Sequence, residues 1–220
     1  MSDFPQQPVS PREFVEEVVP ALFADVRLDE AERGIDLRIG LVLRGDEGGE
    51  WTLHFVAGEL GIASGRHHDA ELTVVQRVED WRTALWEGRP GLVADAVARV
   101  AESGPEALRP SVAPRGGAEG DPLRGVSDLR GLIELIISER GGEEWRIAVL
   151  LGPGAIPETP QATILLGAEQ AEAIRSGDLH PLEALITGQL RLEGDLGLIL
   201  QLQALAMNAS MSRSAPRRGS

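Results

Sequence analysis

The sequence contains no cysteine and no lysine. Without cysteine, disulfide bonds, thiolate catalysis and sulfur-ligated metal sites are all excluded. All 21 basic residues are arginine, and against 35 acidic residues they leave a formal net charge of -14. A phosphate backbone or an anionic membrane rewards dense positive charge, so this balance disfavours a nucleic-acid partner and stable attachment to anionic lipid surfaces.

Long apolar runs are also missing. A bilayer-spanning helix needs roughly 20 apolar residues, and no stretch of the sequence approaches that length. The first residues, MSDFPQQPVSP, have neither a positive segment nor an apolar run, so we expect no signal peptide. We therefore expect a soluble, cytoplasmic protein. Its 220 residues are 42% hydrophobic, enough for one large core or two smaller ones.

Alternating polarity predicts a hairpin early in the chain. Residues 35–43 carry an apolar side chain at every second position, which is typical of a half-buried strand, and a second strand from Trp51 pairs back on it. Before the hairpin, Ser10 and Pro11 have the residue types that cap and begin a helix. The elements predicted after the hairpin are strands over 60–64 and 71–75 and helices over 78–87 and 92–101.

The same order of elements returns after residue 123, following a stretch rich in proline and glycine that predicts a linker. Three correspondences keep their order: Trp51 with Trp145, 72–74 with 162–164, and Gly88 with Gly177. This order favours an internal duplication. The predicted divisions are a disordered N terminus at 1–9, a degenerate first repeat at 10–108, a linker at 109–123, a second repeat at 124–208 and a disordered tail at 209–220.

The segment from Gly188 to Met207 reads GQLRLEGDLGLILQLQALAM. Its first part alternates as a strand does, Gly194 breaks the alternation, and Asp195 is placed to cap a following helix. That helix is apolar around most of its circumference, which is more than an amphipathic surface helix needs. We expect it to be buried in a core or to lie over something hydrophobic that is not all protein.

Four features follow one another in the second half: Trp145 after a glycine-rich turn, Ala162-Thr163-Ile164, a helix ending at Gly177, and a Gly-x-hydrophobic-x-hydrophobic-x-Gly-Asp segment at 188–195. In this order they resemble the sterol carrier protein 2 (SCP2) family of lipid-binding domains, closely over 123–208 and more loosely over 10–108. The resemblance implies an α+β fold in two repeats, with a mostly antiparallel five-stranded sheet and helices packed on one face. It also implies an apolar tunnel between sheet and helices that holds acyl chains, sterols or other lipids.

We therefore expect a non-enzymatic lipid carrier without a cofactor, a catalytic residue or a metal site. Burying a lipid chain yields about 0.8 kcal/mol per CH₂ whatever its headgroup, so selectivity should be broad. The residues expected to bind lipid are Ile147, Val149, Ile164, Leu166, Leu190, Leu192, Leu198, Leu202 and Leu205. Ordinary core residues use the same side chains, so each could equally serve packing alone.

Two other functions remain open at this stage. One is a structural or protein-interaction scaffold with a filled tunnel. In it, exposed faces that include Trp86 would bind a protein partner or a second copy of the chain. The other is an accessory factor that presents a lipid to an enzyme of isoprenoid-lipid biosynthesis. Transient membrane contact is a further hypothesis.

For two local motifs we predict that no ligand binds. His67, His68 and Asp69 are metal-ligating types, but neighbouring residues on a turn point apart, which favours a solvated turn. Gly152-Pro153-Gly154 opens no helix and has no lysine, so we do not expect a phosphate cradle there.

Overall fold

The computed structural model describes residues 4–24, 33–34, 36–90, 130–139, 142–195 and 197–201. The predicted helix over 92–101, the linker and the C-terminal tail lie outside the described residues. So do two of the expected lipid-binding residues, Leu202 and Leu205. No helix among the described residues is long and apolar enough to cross a membrane.

Eight strands form one mixed sheet in the order β3-β2-β1-β4-β6-β5-β7-β8. They are β1 Asp36–Arg44, β2 Gly49–Val56, β3 Glu59–Ser64, β4 Leu72–Arg77, β5 Gly131–Ser138, β6 Glu144–Leu151, β7 Ala162–Gly167 and β8 Leu190–Gly194. The β1–β4 and β5–β7 pairs are parallel and the other pairs are antiparallel. The α+β fold is as expected, but the expectation of five strands is wrong, because β4 pairs with β6 and joins the halves into one sheet.

The strands of the two halves follow the same local plan. In each half a hairpin is followed by a strand that lies parallel to the first strand of that hairpin, giving β2-β1-β4 and β6-β5-β7. In the second half, β7 has β8 as its antiparallel neighbour. Among the described residues the first half has no strand equivalent to β8, and β6 of the second half pairs with β4 at that position. The duplication itself stays a prediction.

The helices begin where local chemistry favours them. They are α1 Pro11–Glu13, a π-helical turn Phe14–Val18, α2 Val19–Ala24, α3 Val78–Trp86, α4 Ala168–Ser176, α5 Pro181–Ile186 and the helical residues 197–201. Ser10 caps α1 as expected, since its Oγ accepts a hydrogen bond from the N–H of Glu13 at 3.2 Å. Pro20 does not end the helix; the backbone widens into the π-helical turn just before it, which relieves the clash of the proline ring with the preceding turn.

The helices cover one face of the sheet, and the core lies between the two layers. Around the first hairpin, Leu43 and Trp51 from the sheet pack against Phe14 and Trp81 from the helices. Trp81 and Trp86 meet edge to face at 5.2 Å, an arrangement typical of aromatic cores. Trp86 is therefore half-buried against the first core, and its role in binding a partner stays a prediction.

The N-terminal segment, which the sequence predicts to be disordered, contributes to this core. The ring of Phe4 lies 5.8 Å from that of Phe14 and 5.9 Å from that of Trp86. The indole N–H of Trp86 also donates to the carbonyl of Pro5 at 2.9 Å. Residues 4 and 5 thus close the end of the first core.

Candidate functional site

On the helix-covered face, the second half of the sheet presents its apolar side chains in rows that cross four strands. Strand register aligns Ile147, Leu135, Ile164 and Leu192 into a middle row across β6, β5, β7 and β8. Because alternate residues of a strand share a face, the neighbouring rows lie two residues away on each side. All four side chains of the middle row are only half-buried.

The two neighbouring rows are covered by helices. On one side, Ala171 and Ile174 of α4 pack in a cluster with Ile137 and Leu166, both of which are fully covered. On the other side, Leu198 and Ile199 of the helical residues 197–201 pack in a cluster with Ala162, Ile133 and Val149.

We call the half-buried middle row, together with the helices that pack on its two sides, the furrow. Four residues of strand separate its flanking rows, a distance of about 13 Å, which is wide enough for an alkyl chain. No charged residue shares the row, so nothing in it opposes the burial of hydrocarbon.

Local chemistry fixes the helix that bounds the furrow. Asp195 accepts a hydrogen bond from the N–H of Leu198 at its Oδ1 (2.8 Å), and its backbone carbonyl accepts from Ile199 (3.0 Å). This is the cap expected from the sequence. At the preceding corner, Gly194 has φ = 112°, and a Cβ there would lie 2.2 Å from the carbonyl oxygen of Gln161, so only glycine fits.

The structure brings the expected lipid-binding residues that it describes to this one region. Ile147, Ile164 and Leu192 lie in the middle row, and Leu166 and Leu190 belong to the row under α4. Val149 belongs to the row under residues 197–201, and Leu198 is one of the helical residues that cover it. Leu135 is the member of the middle row that sequence reasoning missed. Its position in the alternating strand that precedes Trp145 was the available signal.

The opposite face carries a cavity of about 380 Å³ where β4 and β6 diverge beyond the Val75–Ala148 pair. Two of its arginines are matched by carboxylates: Arg77 bonds Asp80 from both Nε (2.8 Å) and Nη2 (3.2 Å), and Arg146 bonds Glu144 at 2.5 Å. These hydrogen bonds are the main cause that raises the pKa of each of these two guanidinium groups. Glu79, Asp80, Glu134 and Glu158 also line the cavity, so acidic and basic side chains are mixed in it.

The turn with two histidines is more compact than the sequence suggests. Ligand atoms of His67, His68 and Asp69 lie within 4.8 Å of one another, and all three residues are exposed. The imidazoles stack at 5.0 Å, and Asp69 contacts the Nε2 of His68 at 3.0 Å. Adjacent side chains on this turn therefore converge instead of pointing apart. Their mutual contacts account for the arrangement without an ion, and the interpretation as a solvated turn stays a prediction.

An α+β domain with a half-buried apolar row on the helix face of its sheet is thus the class of protein that the structure defines. Residues 123–207 match the model of the SCP-2 sterol transfer family. The resemblance to this family that was drawn from the Gly-Asp corner is therefore confirmed for the second half.

Several solved structures are similar to parts of the chain. The sterol carrier protein domain 2 of Helicoverpa armigera is 22% identical, with 40% of this chain and 74% of that chain covered and a TM-score of 0.32. Sterol carrier protein 2 like 2 from Aedes aegypti is 23% identical, with 52% and 92% covered and a TM-score of 0.30. Its palmitated form in solution is 20% identical, with 54% and 93% covered and a TM-score of 0.33. No curated protein matches the chain.

Proposed function

We propose that the second half of the chain binds an elongated apolar ligand, such as an acyl chain or a sterol, and acts as a non-enzymatic carrier. The observation that carries the proposal is the middle row of Ile147, Leu135, Ile164 and Leu192, which is apolar and half-buried between two helices. A chain laid along this row would lose water from both surfaces, at about 0.8 kcal/mol per CH₂ of ligand. The family match over 123–207 supports the same function.

The furrow favours a carrier over a scaffold with a filled core. In a filled core the middle row would be covered as completely as Ile137, which is 1% exposed in the row beside it. Leu200 adds a second exposed apolar surface on the bounding helix, at 55% exposure. Presentation of the lipid to an enzyme stays a hypothesis, because its test needs the partner.

Adjacent residues of β7 provide a matched test. Ile164 faces the furrow and Leu165 faces the opposite side of the sheet, and both are half-buried. We expect Ile164→Trp to fill the furrow and to weaken binding of a fluorescent fatty acid about tenfold, which corresponds to the loss of about two buried methylenes of the ligand. Leu165→Trp should bind as the wild type does.

Native mass spectrometry of the purified protein, followed by organic extraction, gives an independent readout. We expect co-purified lipid in the wild type and in Leu165→Trp, and loss of it in Ile164→Trp with an unchanged circular dichroism spectrum. Protein that carries no lipid and takes up no fatty acid would contradict the carrier function. Equal binding by Ile164→Trp and the wild type would place the ligand elsewhere.

A further inference from the structure

A second concave surface lies in the first half, on the sheet face opposite the helices. It encloses about 490 Å³ and is lined by β1, β2, the edge strand β3 and the turn that follows. Four of its lining residues, Arg38, His54, Arg66 and His67, carry basic or imidazole side chains, and no acidic residue lines it. The whole chain has 35 acidic and 21 basic residues, so the charge of this lining is opposite in sign to the net charge of the chain.

Arg66 is held in place by neutral acceptors. Its Nε donates to the hydroxyl of Thr73 at 2.8 Å, and its Nη2 donates to the carbonyl of Gly154 at 2.6 Å. Thr73 is completely buried, which makes it a fixed anchor. Beneath the arginine lies Gly40, where a Cβ would come within 3.1 Å of the Cγ of Arg66. The absence of a side chain at Gly40 lets the arginine lie against the sheet.

The positive charge of this arginine is left uncompensated. A guanidinium has five N–H donors, and only the two bonds to Thr73 and Gly154 engage those of Arg66 among the described residues. Arg38, on the same face of β1, makes no side-chain hydrogen bond or ion pair within the part of the chain that the structure describes. Two guanidinium groups therefore reach one cavity without a carboxylate partner.

The turn that closes the cavity is fixed as well. Thr52 donates from its hydroxyl to the carbonyl of Gly65 at 2.8 Å and accepts from the N–H of His67 at 2.7 Å. His54 faces the cavity from β2, directly across from Arg38 in the strand register, and contacts Asp36 at 2.7 Å. Because Arg66 and this turn are held before binding, they lose little entropy when a ligand enters.

We propose that this cavity is a binding site for a small molecule bearing a phosphate or carboxylate group. Planar guanidinium groups bind both anions in a bidentate manner, and here two of them line one cavity with two imidazoles, each of which contacts an aspartate outside the lining. The volume is within the range of small-molecule sites. The cavity with Arg77 and Arg146 is the internal contrast, since four acidic residues line it and carboxylates already bind these two guanidinium groups. The proposal does not depend on lipid binding, which concerns the other face and the other half.

Titration with inorganic phosphate, followed by amide chemical shifts, tests the site in the full-length protein. We expect the shifts to concentrate in residues 61–67, which form one wall of the cavity. Arg38→Gln should weaken phosphate binding about tenfold, the usual loss for a charge-assisted hydrogen-bonded pair. The matched control is Arg44→Gln, which removes the same charge from the same strand but lines the other cavity.

A second variant separates geometry from charge. Gly40→Ala keeps every arginine, but its Cβ would come within 2.7 Å of the Thr73 hydroxyl that holds Arg66 and within 3.1 Å of Arg66 itself. It should therefore weaken binding while the net charge stays the same. The proposal is overturned if phosphate leaves the amides of residues 61–67 unshifted at tens of millimolar, or if Arg38→Gln and Arg44→Gln weaken binding equally.

Vesicle sedimentation distinguishes the source of the anion. With a net charge of -14, we expect no binding to phosphatidylcholine vesicles that contain phosphatidic acid, so the ligand is a soluble anion. If the protein sediments with these vesicles and Arg38→Gln abolishes this binding, the site is kept and its ligand is a lipid headgroup. If Arg38→Gln leaves sedimentation unchanged and phosphate causes no response, the anion site is excluded.

Discussion

Trp51 and Trp145 occupy equivalent positions near the start of β2 and β6, and both are 4% exposed. Their indole N–H groups nevertheless have different acceptors. Trp145 donates to the backbone carbonyl of Asp80 at 2.8 Å, while Trp51 donates to the carboxylate of Glu16 at 3.0 Å. The bond from Trp51, and then that from Arg12, lower the pKa of Glu16 below its ordinary value of 4.5.

The two tryptophans should therefore respond differently to pH. Trp145→Phe removes this hydrogen bond and should lower the free energy of unfolding by about 1 kcal/mol. A carbonyl does not titrate, so that loss should be the same at pH 7 and in acid. The ionised carboxylate of Glu16 stabilises the fold above pH 4.5, and this stabilisation is lost as the pH falls through the lowered pKa.

Trp51→Phe should accordingly cost more stability at neutral pH than in acid. Urea denaturation of both variants and the wild type, at neutral pH and below the ordinary pKa of a glutamate, measures the difference. A penalty for Trp51→Phe that is independent of pH would show that its bond to Glu16 contributes nothing.

At the scale of the element, the cap at Asp195 determines how firmly the helix at 197–201 bounds the furrow. Asp195→Ala removes the acceptor of the N–H of Leu198 and should cost about 1 kcal/mol, whereas Asp195→Asn keeps a good capping group. We expect faster hydrogen exchange at the amides of Leu198 and Ile199, and weaker fatty-acid binding, in the alanine variant only. If both variants exchange as the wild type does, packing and not the cap holds this helix.

The individual elements were predictable because their signals are local. Alternation in β1 and β2, the cap at Ser10 and the Gly-Asp corner each lie within a few residues of sequence. The pairing of β4 with β6 was not predictable, because alternation shows which face of a strand is buried but not which strand lies beside it.

The same limit applies to the two sites. Three of the four residues of the furrow's middle row were predicted from inward-facing positions on single strands. The cavity with Arg38 and Arg66 was missed, because it needs a hairpin register, a glycine under an arginine and a carbonyl 88 residues further along the chain. Arg38 opposite His54 was the part that hairpin register could have revealed.

At the scale of the whole molecule, the continuous sheet predicts one unfolding transition instead of two. Breaking either half would expose the paired edge of β4 or β6, so the halves should lose structure together. The first core contains Trp51, Trp81 and Trp86, and the second contains Trp145. Fluorescence of a variant that keeps only Trp145 and the far-ultraviolet circular dichroism should follow the same denaturation curve. Separated midpoints would mean that the halves are independent domains.

The loop between β6 and β7 belongs to the second half but bonds to the first. Gly152 donates to the carbonyl of Glu71 at 2.8 Å, Gly154 donates to that of His68 at 2.9 Å, and the carbonyl of Gly154 accepts from Arg66. The same loop leads into β7, which carries Ile164. A ligand in the furrow that displaces this loop must change the affinity of Arg66 for an anion. By thermodynamic linkage the anion then changes the affinity for the lipid by the same factor. Binding on one face of the sheet would therefore alter binding on the other face.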